Sequence, residues 1–70
     1  MTANNYYLNK TNLIKESLSA VGYVVIKTDG IKITMQKGES TAYFCVPCNI
    51  YKINNQRVLF KQLSDLWQNI

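Results

Sequence analysis

The residues able to do covalent or acid-base chemistry are few in this 70-residue chain, which has two cysteines, four carboxylates and no histidine. Cys45-Val46-Pro47-Cys48 has the spacing of a redox or metal motif. Thioredoxin-like chemistry wants that spacing where a strand runs into a helix N-terminus, which lowers the thiol pKa, whereas here a loop is expected to follow. Zinc needs four ligands, so two thiols per chain reach that number only in a dimer pooling four thiolates. Three readings therefore stand for Cys45 and Cys48: a strand residue and a small loop residue without chemistry, a redox-linked disulfide, or an intersubunit metal site. Glu16, Asp29, Glu39 and Asp65 are scattered over helix faces and turns and form no legible acid-base pair. Ser17, Ser19, Ser40 and Ser64 have no base to activate them, and no glycine-rich loop could cradle a phosphate. The expectation is a protein that is not an enzyme, with no catalytic residues, no metal and no cofactor.

Positive charge is the other chemical resource. Eight Lys and Arg against four Asp and Glu give a net charge of +4 and a pI near 9.2. Such a balance is compatible with nucleic acid, an acidic protein or an anionic membrane surface. Lys27, Lys32, Lys37, Lys52 and Arg57 could neutralise phosphates while Tyr43 offers a ring to a base, and these six are the candidate nucleic-acid-binding residues. The plainer alternative is a solvated sheet face whose lysine stems cover apolar surface. No apolar run approaches the roughly 20 residues that cross a bilayer, and the Asn-rich start does not read as a signal peptide. Two cysteines without secretion signals fit a reducing compartment, so a cytoplasmic location without a membrane partner is expected.

The element that must position these residues is the stretch Tyr23 to Val46. Tyr23 to Thr28 is β-branched and aromatic apart from Lys27, Asp29-Gly30 offers two positive-φ positions of a type I′ turn, and Ile31 to Gln36 alternates. That turn would oppose Lys27 to Lys32, Ile26 to Ile33, Val25 to Thr34 and Val24 to Met35. A second turn at Lys37-Gly38-Glu39-Ser40 leads into Thr41 to Val46 and sets Met35 against Ala42 and Ile33 against Phe44. Val24, Ile26, Ile33, Met35 and Phe44 then share a buried face, while Tyr23, Val25, Lys27, Lys32, Thr34, Gln36, Thr41, Tyr43 and Cys45 share an open one. Lys27 directly opposite Lys32 would cost up to about 1 kcal/mol unless an anion lay over them.

Around this three-stranded antiparallel meander the sequence predicts residues 1-10 as an extended N-terminal arm and 11-70 as a single α+β domain. Leu13, Ile14, Leu18 and Val21 keep helical spacing from Thr11, with Gly22 as a left-handed stop. Pro47 ends the third strand, Cys48 to Gln56 is a connection, and Leu59, Leu63, Leu66 and Ile70 predict an amphipathic helix over about 56–69. A rival pattern makes Asn54-Asn55 a tight turn between strands Ile50 to Ile53 and Arg57 to Phe60. The helix is preferred because its period runs unbroken to Ile70. The order is then α-β-β-β-α, with both helices on one face of the sheet.

This layout, from about Asn12 to Trp67, resembles the HicA-type mRNA interferases, which have a double-stranded-RNA-binding-domain-like fold. The resemblance rests on the first helix ending at Val21-Gly22-Tyr23, on Gly30, on the strand leaving through Val46-Pro47, and on a closing helix with Leu59, Lys61 and Leu63. The family's Gly-Ser-His signature falls on Gly30-Ile31-Lys32 here, so histidine acid-base cleavage has no agent. The functional expectation is a small non-catalytic binding domain contacting RNA or other nucleic acid through a basic and aromatic sheet face. The alternative is a protein-protein interaction module, such as a phage or mobile-element inhibitor or adaptor of a nucleic-acid enzyme, acting through a strand edge. That edge could also pair two copies as a homodimer.

Overall fold

The computed structural model describes residues 2–68, beginning with helix α1 (Thr2–Ala20). Along α1, Ile14 and Leu18, one turn apart, are fully buried, whereas Tyr6, Leu8 and Leu13 are each more than half exposed. The segment expected as an extended arm is thus helical from Thr2. It contains no glycine or proline to break the helix, and Lys10 sits over the Phe60 ring at 4.5 Å, which ties this part of the chain to the C-terminal helix. Gly22 (φ 110°) stops α1 as expected. Its N–H donates to Ser19 O (3.1 Å) while the Tyr23 N–H donates to Leu18 O (3.0 Å), a Schellman motif whose Leu18 and Tyr23 side chains are both buried.

Five strands follow: β1 (Val24–Asp29), β2 (Lys32–Lys37), β3 (Ser40–Cys45), β4 (Ile50–Ile53) and β5 (Gln56–Val58), antiparallel and adjacent in chain order. The α+β class stands, but the sheet has two strands more than the meander read from the sequence. The connection assigned to Cys48 to Gln56 is instead the β4–β5 hairpin. Asn54 and Asn55 both adopt positive φ (52° and 72°), the type I′ geometry that matches strand twist, so the rival turn is the one adopted, although its second strand is Gln56–Val58 and Phe60 already belongs to the helix that follows. Helix α2 (Phe60–Gln68) starts four residues later than expected, with Gln62 Oε1 accepting from the Leu59 N–H at 2.9 Å.

The β2–β3 register is the expected one, with Met35 opposite Ala42 and Ile33 opposite Phe44. The β1–β2 register is not. Asp29 pairs with Lys32, Thr28 with Ile33, Lys27 with Thr34 and Val25 with Met35, with an irregularity between Val25 and Lys27. The turn is therefore Gly30-Ile31, with positive φ at Gly30 alone (64°), as a type II′ turn requires. Glycine adopts that conformation without steric cost, and Asp29 is spared it. Two expectations are corrected by this slip. Lys27 does not face Lys32, which lies opposite a carboxylate instead, and Val24 and Ile26 are exposed rather than buried.

The core combines Ile14 and Leu18 of α1, Leu63 of α2 and the sheet residues Ile33, Met35, Ala42, Phe44 and Tyr51, with Tyr23 and Val46 at its margin. Both helices therefore cover one face of the sheet. Tyr23, expected on the open face, is buried with its hydroxyl 2.8 Å from Ser40 Oγ. Among the described residues no helix is long and apolar enough to cross a membrane.

Candidate nucleic-acid interface

The uncovered face is built by the pairing that builds the core, because side chains alternate and opposite partners share a side. Lys27 pairs with Thr34, Thr34 with Tyr43, Tyr43 with Lys52 and Lys52 with Arg57. These five residues form one row crossing all five strands, about 19 Å long at about 4.8 Å per strand. The Asp29–Lys32 pair lies beside the row at its β1–β2 end. Lys27, Lys32 and Arg57 are exposed, and Thr34, Tyr43 and Lys52 are half-buried.

Tyr43 is at the middle of the row. Its ring has the Lys52 ammonium 5.6 Å from the centroid, within range of a cation–π contact. Two shallow depressions meet at Tyr43 and Thr34: one is completed by Thr41, Lys52 and Asn55, the other by Lys27, Asp29 and Lys32. The face carries four cations against one carboxylate, which accounts for three of the four net charges of the chain.

Of the six candidate residues, Lys27, Tyr43, Lys52 and Arg57 fall in the row and Lys32 beside it. Lys37 does not join them. It pairs with Ser40, alternates onto the helix-covered side and lays its stem along Gly22, where a Cβ would meet Lys37 Cε at 3.1 Å. Lys52 and Arg57 are brought into line by the β4–β5 hairpin, which also supplies Asn55, absent from the sequence-based set. The signal for it was the Asn54-Asn55 pair. The Asn54 N–H donates to Thr41 O (2.8 Å), and Asn54 Oδ1 accepts from the Thr41 N–H (2.9 Å), which clamps the hairpin to β3.

Cys45 continues the outward alternation from Tyr43 and yet is fully buried. The turn Val46 to Asn49 follows directly, closed by the Asn49 N–H donating to Val46 O at 3.0 Å, and it brings Cys48 back into the neighbourhood of the Cys45 thiol. Burial pushes the Cys45 thiol above its ordinary value of 9.0, and the nearby Cys48 side chain adds to this. The Cys48 backbone N–H and the Lys32 charge act in the opposite direction. Cys48 itself is exposed, and among the described residues no three His, Cys, Asp or Glu groups are placed to hold a metal ion.

Two further surfaces are separate from the row. Val24, Val25 and Ile26 are exposed along β1, the strand at one margin of the sheet. A groove between α1 and the β1–β2 turn includes Tyr7, Leu8, Ile31 and Pro47 in its lining, together with polar residues such as Asn12 and Lys15. Compared with known proteins, the chain matches no family model, no curated protein and no solved structure.

Proposed function

We propose that this chain is a non-catalytic domain that binds RNA or another nucleic acid on its uncovered sheet face. The observation that supports this reading is the row Lys27–Thr34–Tyr43–Lys52–Arg57, in which cations stand on both sides of one aromatic ring. Cations at intervals can follow a phosphate backbone, and a ring between them offers a stacking surface tolerant of any base. HicA-type cleavage is disfavoured on this reading, because the sequence holds no histidine and Lys32 stands where the resemblance would require one. Fluorescence anisotropy with a labelled single-stranded RNA tests it. Affinity should fall steeply with salt and by about tenfold or more in Lys27→Glu/Lys52→Glu, and binding indifferent to both would refute the proposal. Incubation of the same RNA should yield no cleavage product.

The exposed Val24-Val25-Ile26 margin favours a second reading, in which β1 accepts a strand from a protein partner. Affinity purification with and without nuclease separates the two. A stoichiometric protein that survives nuclease treatment and is lost in Ile26→Lys supports the second reading over the first.

A further inference from the structure

Cys45 is fully buried but stands outside the apolar cluster beneath the helices, and Cys48 is exposed. The ladder ends at the Cys45–Ile50 pair, so the β3–β4 loop consists of Val46, Pro47, Cys48 and Asn49. Asn49 at φ 58° reverses the chain, and the Asn49–Val46 hydrogen bond holds the turn closed. An outward-pointing side chain at the end of a strand should be wet, but Cys45 is completely covered, while Cys48, three residues on in the same closed turn, faces solvent. One thiol is open to a reagent and the other is shielded from it. This is the disposition of an attacking and a resolving cysteine.

We propose that Cys45 and Cys48 form a reversible dithiol–disulfide site within the β3–β4 turn, with a small-molecule disulfide as the oxidant. In the first step the Cys48 thiolate attacks one sulfur of the oxidant RSSR, forming a mixed disulfide and releasing RS⁻, which takes up the proton lost from Cys48. In the second, Cys45 gives its proton to solvent and its sulfur attacks Cys48 Sγ. The Cys45–Cys48 bond forms and a second RS⁻ leaves and is protonated. Two thiols are oxidised and one disulfide is reduced to two thiols, so the exchange balances. Burial keeps the Cys45 thiol protonated at rest, so the second step is the slower of the two, with the Lys32 charge only partly offsetting that burial.

The test uses the whole reduced protein in native buffer. Before oxidation, iodoacetamide should modify Cys48 and leave Cys45 untouched until denaturant is added. After treatment with oxidised glutathione, an acid quench and alkylation in denaturant, mass spectrometry should find both cysteines unalkylated, without glutathione, and the chain lighter by two hydrogens. Dithiothreitol should restore two alkylatable thiols. In Cys45→Ser, which removes the resolving thiol, glutathione should remain on Cys48. Wild-type protein that keeps glutathione on Cys48 with an alkylatable Cys45, or that cross-links into dimers, would overturn the proposal.

Discussion

Tyr43 owes its place to register alone: outward on β3, opposite Thr34 on one side and Lys52 on the other. If its ring stacks on a base, Tyr43→Phe should bind RNA as the parent does, whereas Tyr43→Ala should lose about 1–3 kcal/mol, measured by anisotropy at fixed salt. Equal losses in the two variants would assign the contact to the hydroxyl instead. Cys45 offers a different test, of stability. Its thiol is held above 9.0 in the folded chain, mainly by burial, so the native state binds this proton more tightly than the unfolded state does. The resulting stabilisation is complete below pH 9.0 and fades as pH rises through the folded-state value. The urea midpoint of the parent should therefore fall more steeply above that pH than the midpoint of Cys45→Ala. Parallel profiles would show that burial leaves this thiol unperturbed.

The turns between the strands decide which side chains meet, and they were unequally legible. The Gly38-Glu39 turn left no choice of register, because Ile33, Met35, Ala42 and Phe44 alternate in step on both strands and all four are buried. Asp29-Gly30 read as a type I′ turn, but a type II′ turn one residue later needs positive φ only at Gly30 and replaces a lysine pair by Asp29 opposite Lys32. Val24 to Ile26 could not arbitrate, since three consecutive β-branched residues look alike in either register. The helical period of Leu59, Leu63 and Leu66 was genuine but was extended too far back, over residues that complete the sheet. Asn54 and Asn55 should accordingly respond differently to substitution. Asn55, at φ 72°, should accept glycine without loss, while Asn55→Val should cost about 1–2 kcal/mol because a β-branched residue resists the left-handed region. Asn54→Gly keeps the backbone freedom but removes the side-chain bond to the Thr41 N–H, for a loss of about 1 kcal/mol. Chemical denaturation of the three variants gives the ranking. A destabilised Asn55→Gly would contradict the turn geometry.

For the molecule as a whole, the question is whether its charge acts as a total or through its distribution. Outside the uncovered face, Lys10, Lys15, Lys37 and Lys61 are nearly balanced by Glu16, Glu39 and Asp65, so the excess is concentrated on one side of the sheet. If Lys27, Lys32, Lys52 and Arg57 each displace a counterion from single-stranded RNA, log Kobs should fall with log salt at a slope of about −3, four contacts at about 0.7 each. Lys27→Gln/Lys52→Gln removes two of those contacts and should bring the slope to about −1.4. Lys15→Gln/Lys61→Gln lowers the net charge by the same two units at sites off the face and should leave the slope near its parental value. Nonspecific attraction by a basic protein would give both double variants the same shallow slope, so the pair of titrations tests placement against total charge. The comparison holds because each variant loses two lysines and gains two neutral side chains, leaving position as the difference between them.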